Sequence, residues 1–263
     1  MSVTIRNKKS IVCDLDGTLA MSKAPMDKEM ADLITELLSH FKFAVLGGGN
    51  PKLFFSQIVE PLEARATGLF SRLALLPTSG ARGYVYIGNK WEEAYAETLS
   101  LQEIKQIREA FRKAFTYTHY PHPQKVHGEV IEDRGTAVVF SAMGQEAPLL
   151  LREGWNKESD CRIRLQAALA PLLPHHEIRI GGLTSIDITK KGIDKAYGIE
   201  KIKEIFSLQT KDLVFIGDAL FPGGNDEPVK RSGVETLEVR SPEDTKNIFR
   251  GWLAEILASP HQF

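Results

Sequence analysis

Two aspartates placed two residues apart are the most chemically suggestive feature of this sequence. The segment DLDGTLA (14–20) closes a short apolar run, SIVCDL (10–15), which is typical of a buried strand. Residues i and i+2 of a strand face the same side, so the carboxylates of Asp14 and Asp16 can reach one site. One aspartate can attack a phosphate and become an aspartyl-phosphate, while the other exchanges a proton with the leaving or entering group. The pair predicts a phosphoryl-transfer site.

A second acidic segment, IGDALFPGGND (216–226), surrounds its carboxylates with glycine. Apolar residues run into Asp218, as expected at the end of another buried strand. The Pro-Gly-Gly triplet that follows predicts a tight turn, which would bring Asn225 and Asp226 back toward Asp218. Oxygen donors gathered at a strand end suit a divalent cation, so this segment predicts a metal site.

Charge compensation links the two acidic segments. Phosphoryl transfer depends on positioning and on neutralising charge, so carboxylates that attack a phosphate need cations close by. We expect Mg²⁺ to be held by Asp14, Asp218 and a backbone carbonyl near Asp16. Lys195, in KGIDKAYGI, is the candidate for the remaining positive charge. Thr18 follows the aspartate pair and can contact a phosphate oxygen.

Composition narrows the class of protein. The chain has 263 residues, of which 43% are hydrophobic and 25% charged, as in ordinary globular proteins, and its formal net charge is -1. This balance predicts neither nucleic acid nor a membrane as partner. Two cysteines cannot build a disulfide framework, and the apolar run near the N-terminus is too short for a signal peptide. We expect a cytoplasmic protein.

Strand-like and helix-like segments alternate at both ends of the chain. A strand, a helix at 27–41 and a strand at 42–50 begin the sequence, an order that predicts parallel strands joined by crossover helices. The middle of the chain instead shows paired β-rich runs, separated by helical segments, at 81–97, 128–144 and 176–192. This pattern predicts an α+β insert with antiparallel strands.

The predicted fold is therefore α/β. It combines a Rossmann-like core, a mostly parallel sheet with helices on both faces, and an inserted α+β cap. We divide the chain into a first core segment at 1–82, a cap at 83–187 and a second core segment at 188–263.

Four motifs in this order carry a family resemblance. DLDGT, the later Lys195 and GDALFPGGND resemble the haloacid dehalogenase (HAD) superfamily. RIGGLTSIDITKKGIDKAYGI (179–199) and RSPEDTKNI (240–248) bring the likeness closer to one branch of it, subfamily IIB with a C2-type cap. That branch contains the α-type phosphomannomutases and related sugar phosphatases. The resemblance covers most of the chain and is weakest from about 51 to 125.

The resemblance implies a role for each matching residue. Asp14 would be the nucleophile, Asp16 the general acid/base, and Lys195 would stabilise the transferring phosphoryl group. The implied metal site comprises Asp14, Asp16, Asp218, Asn225 and Asp226. The implied phosphate- and sugar-binding residues are Thr18, Lys23, Gly48, Gly49, Asn50, Arg134, Arg152, Ser185 and Asp187. The arginines could equally be surface residues of the cap.

Two departures from the mutase pattern bear on the reaction. Gln145 stands where the mutases have a cap arginine, and Gly49-Asn50 stands where their second motif carries serine. Glutamine does not replace a bidentate arginine–phosphate contact, and a mutase must hold two phosphates in turn. We therefore interpret the protein as a phosphatase acting on a small phosphorylated sugar. The alternatives are a hexose-phosphate mutase and, more remotely, a catalytically silent binding module. We expect a monomer or a homodimer formed through the cap.

Overall fold

The computed structural model describes residues 4–156 and 161–258. These residues contain eleven strands in two sheets: β1 (Ser10–Cys13), β2 (Lys42–Leu46), β3 (Leu73–Leu76), β4 (Arg82–Ile87), β5 (Lys90–Ala96), β6 (Ile131–Asp133), β7 (Val138–Ser141), β8 (His176–Gly181), β9 (Ser185–Lys190), β10 (Leu213–Gly217) and β11 (Glu235–Glu238). The larger sheet has the order β11-β10-β1-β2-β3-β4-β5, and the smaller has the order β6-β7-β9-β8.

The α-helices of the described residues are α1 (Lys28–His40), α2 (Pro51–Phe54), α3 (Glu60–Ala66), α4 (Leu101–Thr118), α5 (Leu149–Asn156), α6 (Cys161–Leu169), α7 (Lys195–Phe206) and α8 (Pro242–Ala258). A π-helical turn, Phe55–Val59, joins α2 to α3. One of the helical segments predicted between the β-rich runs is present as α6, and residues 157–160 lie outside the described part of the chain.

Helices cover both faces of the larger sheet because its strand residues alternate in direction. Ile11 and Cys13 of β1 pack with α1 and α8, through residues such as Met30 and Phe249. Val12, between them, packs on the opposite face with α7, where Ile202 is fully buried. β11, β10, β1, β2 and β3 pair in parallel. The predicted α/β class with a mostly parallel sheet is confirmed.

The smaller sheet is antiparallel and is covered on one face only. Its apolar residues, such as Val138 and Ile188, pack under α4 and α6. Residues of alternate register point to the other face, and among them Val139, Ser185 and Asp187 line a cavity shared with the larger sheet. The half-covered sheet therefore presents its polar face to the carboxyl ends of the core strands, where open α/β sheets bind ligands.

The hairpin at 81–97, which the β-rich sequence assigned to the insert, forms part of the larger sheet. β4 pairs antiparallel with β3, and β5 pairs with β4, so both strands extend the larger sheet. Trp91 and Tyr86 pack against Phe70 of the core, with ring centroids 5.5 and 5.4 Å from it. Pairing with β3 therefore decides which sheet the hairpin joins, and its β-rich sequence alone does not. We propose that the first boundary between core and cap lies after Ala96 rather than at residue 82; the other boundaries stay predictions.

Among the described residues, every helix is too short or too polar to cross a bilayer.

Candidate active site

Three aspartates meet at the carboxyl edge of the larger sheet. Asp14 directly follows β1 and Asp218 directly follows β10, the strand next to it. Asp226 returns to them through the glycine turn, where its Oδ2 accepts a hydrogen bond from Ala219 N at 2.9 Å. One oxygen of each carboxylate lies within 4.8 Å of the others. Gly224 is required at this turn, because a Cβ there would lie 2.0 Å from Ala219 O.

Lys195 is the cation of this cluster. It is the first residue of α7 and only 1% of it is exposed. Its Nζ donates to Asp14 Oδ1 at 2.6 Å and to Asp226 Oδ1 at 2.5 Å. Burial alone would lower the pKa of Lys195, but the two carboxylates raise it above its ordinary value, so the ammonium stays charged.

The cluster carries more negative than positive charge. Burial raises the pKa of Asp14 well above its usual range; Lys195 opposes this shift, and Asp226 and Asp218 add to it. Burial likewise raises the pKa of Asp218, with Asp226 adding to the effect. Three carboxylates facing one ammonium leave a deficit of positive charge. Hard divalent cations prefer such oxygen donors, so the residues present fit a divalent metal ion.

Two of the predicted metal ligands lie outside the three-carboxylate cluster. Asn225 lines the adjoining cavity beside Asp218. Asp16 also lines the cavity, but its Oδ1 accepts hydrogen bonds from Lys23 N at 2.8 Å and from Gln57 Nε2 at 3.2 Å. Its Oδ1 is therefore held by protein donors, an arrangement suited to proton transfer, and the metal contact near Asp16 stays a prediction.

A group of cationic side chains lies where the cap meets the core. Arg152 donates from its Nη1 to Ser22 Oγ at 2.9 Å and from its Nη2 to Ser22 O at 3.2 Å. The neighbouring Lys23 Nζ donates to Gln145 O of the cap. Burial lowers the pKa of Lys23 to about 8, and the charges of Arg152 and Arg134 add to the shift. These contacts close the cap over the loop that follows Asp16.

Arg134 donates hydrogen bonds to three protein acceptors. It donates to Glu132 Oε2 at 2.6 Å, to Gly48 O at 2.7 Å and to Gln145 Oε1 at 3.1 Å. These three bonds leave one further N–H on each of Nη1 and Nη2, which a phosphate could accept. The sequence analysis missed Glu132, which nothing in its local pattern distinguishes from a solvent-exposed strand residue.

Two residues predicted to contact phosphate have other surroundings. Asn50 caps α2 by accepting from Leu53 N at 2.9 Å, and its amide donates to Glu132 Oε1 at 3.0 Å. Thr18 is fully buried, and its hydroxyl has no hydrogen-bond partner in the described part of the chain. It is not among the residues that line the cavity, and its phosphate contact stays a prediction.

One cavity of about 480 Å³ joins these groups. Asp14 and Asp218 line its core end, where Lys195 contacts Asp14, and the cationic group and the polar face of the cap sheet line the rest. Residues of both sides line it: Asp14, Asp16, Lys23, Gly48, Gly49, Arg134, Gln145, Arg152, Ser185, Asp187, Asp218 and Asn225. The structure therefore brings together most residues that the motifs singled out, from Asp14 near the start of the chain to Asn225 near its end.

Asp187 gives the site a measurable pH dependence. Burial raises its pKa from 3.8 to about 6, while Arg134 and Lys195 oppose the shift. The folded state thus holds this proton more tightly than the unfolded state, so the contribution of Asp187 favours folding below about pH 4 and is lost as pH rises through about 6.

We expect Asp187→Asn to stabilise the protein more at pH 7.5 than at pH 4.5. The difference should be about 2 kcal/mol, because one pKa unit corresponds to about 1.4 kcal/mol and part of the effect is already present at pH 4.5. Urea unfolding of both proteins at the two pH values measures it. A stability difference that does not change with pH would contradict the assignment.

Comparison with known proteins gives a consistent result. A family model described as eukaryotic phosphomannomutase matches residues 82–255. Phosphomannomutase 2 of Dictyostelium discoideum is 26% identical over 255 residues, covering 90% of this chain and 94% of that protein. A probable phosphomannomutase of Caenorhabditis elegans is 25% identical over 268 residues, covering 97% and 100%.

Solved structures support the fold. The IMP-bound IMP-nucleotidase of Plasmodium falciparum superposes with a TM-score of 0.70 at 14% identity, covering 94% of this chain and 68% of that one. A trehalose-6-phosphate phosphatase related protein gives a TM-score of 0.54 at 16% identity, covering 96% and 99%. The resemblance to the HAD superfamily is confirmed. Because the family model matches more than half of this chain, the chain belongs to the eukaryotic phosphomannomutase family.

Proposed function

We propose that this protein is a Mg²⁺-dependent phosphotransferase that moves a phosphoryl group between positions of a phosphorylated hexose. The single observation that carries the proposal is the shared cavity. It is lined by Asp14, whose carboxylate contacts Lys195, and by Lys23, Arg134 and Arg152. A substrate with two phosphates could occupy both ends in either orientation. The names of the relatives support this mutase reaction over the hydrolase inferred from sequence.

In the proposed reaction, Asp14 attacks the phosphorus and the bond between phosphorus and the sugar oxygen breaks. Asp16 donates its proton to that oxygen. In the return half, a sugar hydroxyl gives its proton to Asp16 and takes the phosphoryl group from Asp14. Lys195 balances the charge of the nucleophile throughout. A Mg²⁺ ion held by Asp14 and Asp218 would supply further neutralisation of the phosphoryl oxygens.

Hydrolysis is the second candidate, and Gln145 is the observation that favours it. Its Oε1 accepts from Arg134, and its carbonyl accepts from Lys23. A neutral side chain thus stands among the cations of the cap, which lowers the positive charge available to a second phosphate. If the sugar monophosphate is held weakly while Asp14 carries the phosphoryl group, the sugar leaves before it can turn round. Water then gives its proton to Asp16 and takes the phosphoryl group from Asp14, releasing phosphate.

The deciding experiment follows phosphate release and isomer conversion together. Purified protein with Mg²⁺ is given hexose 1- and 6-phosphates, with and without a catalytic amount of hexose 1,6-bisphosphate. Conversion that depends on bisphosphate supports the mutase, and phosphate release without conversion supports the hydrolase. Gln145→Arg should raise the ratio of conversion to release in either case. If none of the hexose phosphates gives either product, the proposal is overturned.

Metal dependence is a separate prediction. Removing divalent metal with a chelator should abolish turnover, and adding Mg²⁺ should raise the free energy of unfolding. The gain should be about 2.7 kcal/mol when free Mg²⁺ is a hundred times its dissociation constant. Asp218→Asn should lose most of this gain in thermal unfolding. The exposed Asp32→Asn is the matched control and should keep it. Full activity in the chelated protein would contradict the metal site.

A further inference from the structure

A buried glutamine that no motif singled out contacts the predicted acid/base. Gln57 is 1% exposed, although it lies in a helical segment on the surface of the core. Its Nε2 donates to Asp16 Oδ1 at 3.2 Å and to Ala24 O at 2.8 Å. Both amide hydrogens are therefore used, one on the aspartate and one on the loop that follows it.

The backbone around Gln57 explains how it reaches this position. Phe55–Val59 form a π-helical turn, in which Glu60 N donates to Phe55 O, five residues earlier. Such turns contain one residue more than an α-helical turn, and they are frequent at functional sites. The carbonyl of Gln57 accepts a hydrogen bond from Met26 N at 3.1 Å, outside its own helix. The π-helical turn thus binds the 20–26 loop through both the backbone and the side chain of Gln57.

The bound loop connects Asp16 to the cap. Lys23 N donates to the same Asp16 Oδ1 at 2.8 Å, and Lys23 adopts a left-handed backbone conformation with φ of 61°. Ser22 and Lys23 are also the residues that contact Arg152 and Gln145 of the closed cap. One short loop therefore carries the cap contacts and one of the two donors to Asp16, and Gln57 supplies the other donor.

We propose that Gln57 is a positioning residue for Asp16. Two donors on Oδ1 fix the rotation of the carboxylate and leave Oδ2 without either of these bonds, on a side chain that lines the substrate cavity. Proton transfer needs this alignment, because displacement of a catalytic group by about 1 Å can cost about a hundredfold in rate. Without Gln57, Asp16 would keep only the Lys23 donor and could rotate. The inference rests on the proposed function, since it requires Asp16 to transfer protons.

The test compares two phosphoryl donors that differ in their need for a proton. A hexose phosphate releases a sugar oxygen, which must take a proton from Asp16 as its bond to phosphorus breaks. Acetyl phosphate releases acetate, which leaves as an anion and needs none. Rapid-quench measurement of phosphoenzyme on Asp14, with saturating Mg²⁺, gives the rate for each donor.

We expect Gln57→Met to slow phosphoenzyme formation from the hexose phosphate by about 10- to 100-fold, and from acetyl phosphate by less than about 3-fold. The KM for the hexose phosphate should change by less than about 3-fold. Gln57→Glu retains the size of the side chain but has no N–H to donate. It should slow phosphoenzyme formation from the hexose phosphate by at least the same factor. Ile58→Val loosens packing in the same turn without touching Asp16. It should change the rate of phosphoenzyme formation slightly, and equally for both donors.

Equal losses with both donors in Gln57→Met would overturn the inference, because they would indicate a general structural defect. Hexose-phosphate rates within about 3-fold of wild type would overturn it too. A wild-type protein that forms no phosphoenzyme from either donor would instead overturn the proposed function, and this inference with it.

Discussion

Replacing Asp14 with asparagine should abolish phosphoryl transfer and leave the protein folded. Asp14 lies at the meeting point of β1 and β10, with its Oδ1 2.6 Å from Lys195 Nζ. Asparagine has nearly the same shape, but it is a poor nucleophile and forms no aspartyl-phosphate. Removal of a catalytic nucleophile in other enzymes lowers kcat by as much as about a millionfold, so we expect a loss of at least about a thousandfold.

Stability separates this effect from misfolding. Burial and the neighbouring carboxylates raise the pKa of Asp14, which means that its charge is unfavourable in the metal-free protein. Asp14→Asn should therefore unfold at the same or a higher urea concentration when Mg²⁺ is absent. Asp32→Asn, on the exposed face of α1, is the control for the substitution itself. Turnover within about tenfold of wild type would show that Asp14 is not the nucleophile.

Replacing Lys195 with methionine is expected to affect both stability and activity. The substitution leaves two buried carboxylates, those of Asp14 and Asp226, without their ammonium partner. Breaking a buried ion pair by removing one partner typically costs about 3–5 kcal/mol, because the remaining charge stays desolvated. Urea unfolding of the metal-free protein measures this cost. Transfer should also slow, because the nucleophile loses its neighbouring cation.

A matched lysine and a metal titration sharpen the second prediction. Lys246 is also largely buried, but its partners Asp27 and Glu29 are exposed, so Lys246→Met should cost no more than about 1 kcal/mol. Mg²⁺ should restore part of the stability of Lys195→Met, since it supplies positive charge to the same carboxylates. Equal costs for the two lysine variants, with no recovery in Mg²⁺, would show that Lys195 is a peripheral charge.

The sequence by itself was sufficient to predict the chemical centre. Asp14 and Asp218 each stand directly after an apolar run, and parallel strands bring such residues to one edge of the sheet. The glycine turn returned Asp226 to that edge, as its local turn chemistry predicts. Lys195 was proposed as the compensating charge, and the structure places its ammonium between Asp14 and Asp226. These features depend on short segments and on a simple order of strands.

The tertiary structure decided what depends on long-range contacts. β4 and β5 form a hairpin by local signals, but only pairing with β3 decides which sheet they extend. The acceptors around Arg134 come from Gly48 and Gln145, which lie 86 and 11 residues away in the chain. Gln57 reaches Asp16 through a π-helical turn that no residue pattern predicts. Motif residues can be predicted from the sequence because their backbone geometry depends on neighbouring residues. Their hydrogen-bond partners cannot, because those contacts form only when distant segments pack together.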